Sequence, residues 1–260
     1  MDQSDPVDGS HGAAALVRCR QITQFFGGVQ ALAGVSLDLY SGEVMGLVGE
    51  NGAGKSTLTK ILSGLITPDQ GEIWFGDTRV RNLTPQSARR MGVEAVYQNL
   101  ELCDNLTPER NVMLGQEPVR FALGPFRFVD YHKARAETIR HLAELGVSLP
   151  DLDVPVRRLS GGQRQAIAIA RASVRAHRLM MFDEPTAALG LRQKRATLEL
   201  VRRVAGQGVA VLLISHNLEE ILAVADRIVA LRLGEITLDK PRDATSRDEV
   251  EQHMSGFRAA

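Results

Sequence analysis

From Leu16 onward the chain alternates short apolar runs with stretches whose apolar residues recur at helical spacing, the pattern of a largely parallel sheet covered by helices. The early part has a different texture. Val35, Leu37 and Leu39 interleave with Ser36, Asp38 and Tyr40, and Gly71-Glu-Ile-Trp-Phe-Gly76 is bounded by turn residues, so both read as antiparallel strands. Val44-Met-Gly-Leu-Val48, Leu179-Met-Met-Phe-Asp183 and Val209 to Ser215 are nearly unbroken apolar runs, as strands covered on both faces require. A helical segment follows each, the first over Leu58 to Leu65, and Arg227 to Leu238 reads as a closing hairpin. Residues 105 to 178 offer no convincing strand, while His132 to Leu145 and Gly161 to Ala176 carry helical periodicity. A helical insertion that interrupts the sheet is expected there.

The expected division is a mobile tail over residues 1–15, one α/β domain over 16–240 with its helical subdomain at about 105–178, and a C-terminal extension over 241–260. That extension holds a short helix, Arg247 to Met254, and no internal repeat is visible.

Composition narrows the partners. With 31 Lys+Arg against 31 Asp+Glu the chain has no net charge, so nothing favours nucleic acid or anionic lipid as a whole, and such contacts must be local. Hydrophobic residues at 44% and charged residues at 24% exclude disordered and coiled-coil classes. The longest apolar run, Val209 to Ile214, cannot span a bilayer, and the N-terminus lacks the basic and apolar stretches of a secretory signal. Cys19 and Cys103 are too few and too far apart for a disulfide framework or a zinc site.

Gly49-Glu-Asn-Gly-Ala-Gly-Lys-Ser-Thr57 fits G-x-x-x-x-G-K-[ST] between an apolar run and a helical segment. Small residues there let backbone N–H groups face a triphosphate while the helix N-terminus adds its positive dipole. Asn51, Gly52, Ala53, Gly54 and Thr57 belong to this cradle, Lys55 bridges the β- and γ-phosphates as a point charge, and Ser56 offers its hydroxyl to Mg²⁺. ATP and Mg²⁺ are the implied ligands.

The run Leu179 to Asp183 ends in an acid, and Glu184 follows it. Adjacent carboxylates at a strand end are costly unless charge compensates them; Mg²⁺ held through Asp183 and a water activated by Glu184 supply the reason. Alone the pair would read as a solvated turn before Pro185, but the phosphate loop gives it a partner. His216, directly after the run Val209 to Ser215, can donate to a γ-phosphate oxygen or to the base. Leu159-Ser-Gly-Gly-Gln163 opens a helix: Ser160 and Gln163 have capping-box spacing, while Gly161 and Gly162 weaken the helix yet expose N–H groups to which a second phosphate can dock.

In this order these strings resemble the nucleotide-binding subunit of an ABC transporter, over about Leu16 to Leu238. The resemblance implies a P-loop NTPase, RecA-like core with an N-terminal antiparallel β subdomain and an inserted helical subdomain. It matches Phe26 to the aromatic that stacks on adenine, and Gln98 to the glutamine that links Mg²⁺ to the transporter interface. It also implies a head-to-tail dimer with a second ATP-binding subunit, each site pairing one phosphate loop with the other chain's Ser160 to Gln163. Transmembrane permease subunits would dock beside Gln98 to Asn111, and a sugar-binding protein would act through them. The chain would then sit peripherally at the cytoplasmic face of the inner membrane. Gly49-Glu-Asn-Gly-Ala-Gly, Tyr97-Gln-Asn-Leu-Glu-Leu-Cys-Asp-Asn-Leu-Thr107 and Glu184-Pro-Thr-Ala-Ala-Leu189 resemble importers of ribose, xylose and fructose. One departure is Gly190, where that family places an aspartate that reaches across the dimer.

The implied function is an ATPase driving uptake of a monosaccharide such as fructose or a pentose. The alternative is a soluble ATPase of the same family acting on nucleic acid or ribosomes; zero net charge and a single copy of the motor argue against it, and no nucleic-acid partner is expected. Arg164, Arg171, Arg175 and Arg178 read as a solvated or ion-paired helix face rather than a binding stripe.

Overall fold

The computed structural model describes residues 14–123, 126–149, 151–187 and 189–256. Most of the expected N-terminal tail, residues 1–13, lies outside them. The chain opens with β1 (Val17–Phe26), β2 (Val29–Leu39), β3 (Val44–Val48), α1 (Lys55–Leu62), β4 (Gln70–Phe75), β5 (Thr78–Val80), α2 (Pro85–Arg90) and β6 (Val93–Val96). It continues through α3 (Pro108–Val112), β7 (Val119–Leu123), β8 (Phe126–Val129), α4 (Tyr131–Glu144), α5 (Gly161–Ser173), β9 (Leu179–Asp183) and α6 (Leu191–Gly206). It closes with β10 (Ala210–Ile214), α7 (Leu218–Val224), β11 (Arg227–Arg232), β12 (Glu235–Pro241) and α8 (Arg247–Ser255).

One sheet has the order β12-β11-β3-β10-β9-β6, parallel except for β12 at its edge. A second, antiparallel sheet has the order β2-β1-β4-β5. The apolar runs have the cause read from sequence. In β10, Val211 and Leu213 enter the core shared with α5, α6 and α7, while Ala210, Leu212 and Ile214 enter the core shared with α1 and the antiparallel sheet. β9 divides in the same way, with Met180 and Phe182 on one side and Leu179 and Met181 on the other.

Parallel register aligns the ends that matter. Ile214 pairs with both Leu47 and Asp183, and Val96 pairs with Phe182. The residues following β3, β10, β9 and β6 therefore emerge side by side at the C-terminal edge of the sheet, where open parallel sheets bind ligands.

Four local expectations change. Strands do occur within residues 105–178: β7 and β8 pair antiparallel, Phe121 opposite Phe128. They are short and pair only with each other, so no second buried face marks them in the sequence. The first helix starts at Lys55 rather than Leu58, because the loop glycine Gly54 caps it directly. β5, α2 and α3 carry too few residues to show a period. Of the arginines on and after α5, Arg175 is ion-paired as expected, with Glu94 at 3.9 Å, but Arg171 and Arg175 are half-buried rather than solvated: Arg171 donates to Leu100 O at 2.9 Å and Glu101 O at 2.7 Å, and Arg175 donates to Leu114 O, clamping the segments on either side of α3. Beyond Pro241, α8 lays the fully buried Val250 into the core. Cys19 is buried in the second core, which pushes its thiol up to about 12 and leaves it inert; Cys103 is exposed and free.

Candidate nucleotide site

The loop between β3 and α1 is held open by glycine. Gly54 is left-handed, and a Cβ there would lie 2.5 Å from Ala31 O; at Gly49 it would lie 2.3 Å from Leu231 O. No side chain caps α1, so its first N–H groups are left for an anion. Ala53 is buried, and its carbonyl accepts from Gly234 N at 3.1 Å, fixing the loop against the β11–β12 turn. Asn51, Gly52, Gly54, Lys55, Ser56 and Thr57 form one wall of a cavity of about 440 Å³, and Gln98, Asp183 and Glu184 form the facing wall. Lys55 Nζ folds over its own loop, donating to Gly49 O at 2.7 Å and Glu50 O at 3.0 Å. Burial lowers the Lys55 pKa, against the opposing pull of Glu184 and Asp183.

Glu184 has a left-handed backbone, φ 53°, uncommon for a side chain of its kind, and its N–H donates to Ile214 O at 3.0 Å across the strand ends. This turn carries the carboxylate to His216: Oε1 accepts from His216 N at 2.8 Å, and Oε2 lies 2.7 Å from Nδ1. Burial raises the Asp183 pKa, opposed by Lys55 and Lys60. The donors fit Mg²⁺. Ser56 Oγ, the Gln98 amide and the Asp183 carboxylate share the cavity, hard oxygen ligands of the number Mg²⁺ takes from protein when phosphates and water complete its shell.

The Asp183 shift has a stability consequence. A carboxyl whose folded pKa is raised supports the fold when protonated, and that support is lost as pH climbs through the folded value. At neutral pH its charge is therefore a cost to the nucleotide-free chain. Asp183→Asn is expected to raise the nucleotide-free melting temperature by a few degrees at pH 7, with the difference closing as pH falls toward about 4, while Mg²⁺-dependent turnover collapses. Paired thermal melts and ATPase assays across pH check both halves.

Glu220 is the residue that sequence reading missed. It is buried, and its Oε2 accepts from Thr186 Oγ1 and from Ser215 Oγ at 3.1 Å. Its Oε1 accepts from Lys194 Nζ at 3.0 Å and Asn217 Nδ2 at 3.3 Å. Burial would push this carboxyl up, but the hydrogen bonds from Thr186, Lys194 and Ser215 outweigh it and hold the pKa below the usual range. The carboxylate ties the segment just after Glu184 to both neighbours of His216. Its only sequence signal is an acid on the apolar side of a short helix. Glu220→Gln cannot accept all four bonds and is expected to lower kcat on the order of tenfold with ATP affinity retained, and Glu220→Asp to recover part of it. Equal losses in both variants and in ATP affinity would indicate general destabilisation instead.

Other expected site residues stand elsewhere. Ser160 to Gln163 do not line the phosphate cavity. Ser160 Oγ accepts from Gln163 N at 3.3 Å, Gln163 Oε1 accepts from Ser160 N at 2.8 Å, and the pair borders a separate cavity of about 560 Å³ between α5 and α6. Phe26 sits at the exposed end of β1, opposite Val29, and lines no part of the phosphate cavity. Gly190 is exposed at the start of α6; a Cβ there would meet only Gln193 Oε1, at 3.8 Å, so space does not demand glycine. Ala188, two residues before it, lies outside the described residues.

A lysine-bearing phosphate loop at the centre of a parallel sheet, with acids at the end of β9, separated from β3 only by β10, defines a P-loop nucleoside triphosphatase. The chain belongs to the ABC transporter family, whose profile matches residues 32–187. It is 40% identical over 242 residues to the xylose/arabinose import ATP-binding protein XylG of Sulfolobus acidocaldarius, covering 93% of this chain and 94% of that one. It is 39% identical over 239 residues to the fructose import ATP-binding protein FrcA of Rhizobium meliloti, covering 90% and 92%. A ribose import ATP-binding protein of Rubrobacter xylanophilus is 41% identical, and the match spans 94% of this chain but 46% of that longer one. Among solved structures, a nucleotide-free ATP-binding cassette from an ABC transporter superposes with a TM-score of 0.78 at 23% identity, covering 93% of this chain and 95% of that one. At that identity the likeness is one of fold. No helix among the described residues is long and apolar enough to cross a membrane.

Proposed function

We propose that the chain is the Mg²⁺-dependent ATP-hydrolysing subunit of an importer of a monosaccharide, a pentose or fructose. The observation that carries this is the single cavity shared by Lys55, Ser56, Gln98, Asp183 and Glu184 in a chain whose relatives are sugar import ATP-binding proteins. Lys55 exchanges its two loop carbonyls for β- and γ-phosphate oxygens, and the loop N–H groups take the remaining charge. Ser56, Asp183 and Gln98 would hold Mg²⁺, which when bound would supply positive charge against that developing on the phosphates. Glu184, held through Oε1 by the His216 backbone N–H, accepts a proton from the attacking water at Oε2, and the His216 ring exchanges its contact with that oxygen for donation of its N–H to a γ-phosphate oxygen.

Completion of the site requires a second ATP-binding subunit, whose Ser160, Gly161, Gly162 and Gln163 close on the nucleotide, with Phe26 against adenine. A solved ATP-binding cassette with the same fold is a dimer bound to ADP and Pi, which supports this reading. Permease subunits take the groove beside Gln98, bounded by Arg89, Glu94, Tyr97, Glu101 and Leu114. Glu94 Oε1 is buried there between Arg89 at 3.8 Å and Arg175 at 3.9 Å, a charged cluster on the floor of the groove. The chain works at the cytoplasmic face of the membrane, with a sugar-binding protein acting through the permease.

The purified chain is expected to hydrolyse ATP with Mg²⁺ and to stop when the metal is chelated. Lys55→Ala should lose at least about tenfold in ATP affinity. Addition of DNA or RNA should leave turnover unchanged; a salt-sensitive stimulation would turn the assignment to the nucleic-acid ATPases of the family.

A further inference from the structure

The β7–β8 ribbon projects from the segment between α3 and α4 and has two unlike faces. Cross-strand pairs Phe121–Phe128 and Leu123–Phe126 share one face, and the two phenylalanine rings stack with centroids 4.4 Å apart. Phe121 is 53% exposed, Leu123 70%, Phe126 67% and Phe128 46%, and none belongs to either core. Arg127, opposite Ala122, stands on the other face, and Arg120 is the extra residue of the bulge between Val119 and Phe121, next to the apolar pairs. Neither strand contains an acid. The two acids at the base are engaged locally: Glu117 accepts from Gly115 N at 3.0 Å, and Asp130 caps α4 through Lys133 N at 3.0 Å. In a chain with no net charge, the ribbon is thus a local unit of bulky apolar residues with two arginines that make no ion pair among the described residues.

We propose that this ribbon rests on the surface of an anionic bilayer, its apolar face in the headgroup and acyl boundary and its arginines reaching lipid phosphates. The composition is that of an interfacial element. Long arginine side chains can bend toward phosphates while aromatic rings enter the boundary. Both outer strand edges carry unpaired backbone groups, so the ribbon fits the wet interface and not the hydrocarbon interior. Its position agrees: Leu114 and Gly115, just before β7, line the groove assigned above to the permease, so the ribbon continues the membrane-facing side. That last point rests on the proposed function; the faces and charges of the ribbon do not.

The test is flotation of the whole chain, without nucleotide, with vesicles of phosphatidylcholine alone or mixed equally with phosphatidylglycerol. Binding is expected to the anionic vesicles and to fall with salt. Arg120→Gln with Arg127→Gln should weaken it at least about tenfold. Phe121→Ser with Phe126→Ser should abolish it, with thermal melting and ATPase turnover as in the parent chain. Absence of binding, equal binding to neutral vesicles, or parental binding by the phenylalanine variant would overturn the proposal. Loss of permease association with vesicle binding intact would give the face to the permease instead. Failure of ATP hydrolysis in the parent would strike the proposed function and leave the vesicle result standing.

Discussion

Glu184→Gln is expected to lower ATP turnover about a thousandfold while leaving ATP binding intact. The substitution keeps the side chain's shape, and its amide oxygen can still accept from His216 N, the contact made now at 2.8 Å. What it loses is the capacity of Oε2 to take a proton from water. Because this carboxylate also sits 2.7 Å from His216 Nδ1, the amide leaves that ring nitrogen with an altered partner, which adds to the loss. With hydrolysis blocked, ATP and Mg²⁺ should convert the variant from monomer to stable dimer, read by light scattering against a nucleotide-free control. Near-parental turnover would remove Glu184 from the role of base. A monomer that nonetheless holds ATP would mean that the partner is a different subunit or that the permease must scaffold the pair.

Ser160→Arg should abolish ATP-driven dimerisation and reduce turnover by two orders of magnitude or more, on the order of the loss when a reacting group is misplaced. Within one chain Ser160 does no more than cap α5, far from any role at its own phosphate loop cavity. Losing that cap costs about 1 kcal/mol, so Ser160→Ala provides the control: it removes the hydroxyl's bond to Gln163 N without adding bulk. The arginine variant should bind nucleotide as a monomer as well as the parent, and the alanine variant should dimerise, though less firmly. Equal dimerisation by parent and arginine variant would show that the start of α5 does not contribute to a shared site.

The legibility of this protein in its sequence follows physical lines. The strands of the parallel sheet were readable because burial on two faces demands unbroken apolar runs, as at Leu179 to Asp183 and Ala210 to Ile214. The phosphate loop was readable because the bond pattern it must offer is local: eight consecutive positions, Gly49 to Ser56, with small residues, a lysine and a hydroxyl. The capping box at Ser160 and Gln163 was equally local, and it forms. The β7–β8 ribbon escaped because a two-stranded element with both faces exposed leaves no buried period, and the clamping role of Arg171 and Arg175 escaped because their acceptors, the carbonyls of Leu100, Glu101 and Leu114, lie more than fifty residues away.

Sequence by itself determined the kinds of groups available: a phosphate cradle, an acid pair, a histidine at a strand end and a glycine-bearing helix start. Each depends on neighbours within a few positions. Tertiary structure decided which of them meet. Parallel register between β3, β10 and β9 sets Gly49, His216 and Glu184 at one edge; the left-handed turn at Glu184 delivers its carboxylate to His216; and Glu220 gathers Thr186, Lys194, Ser215 and Asn217 beneath them. The same structure holds Ser160 and Phe26 away from the phosphate cavity, since hydrogen bonds between distant segments depend on how the sheet is ordered, and that order is a property of the packed core rather than of any local string.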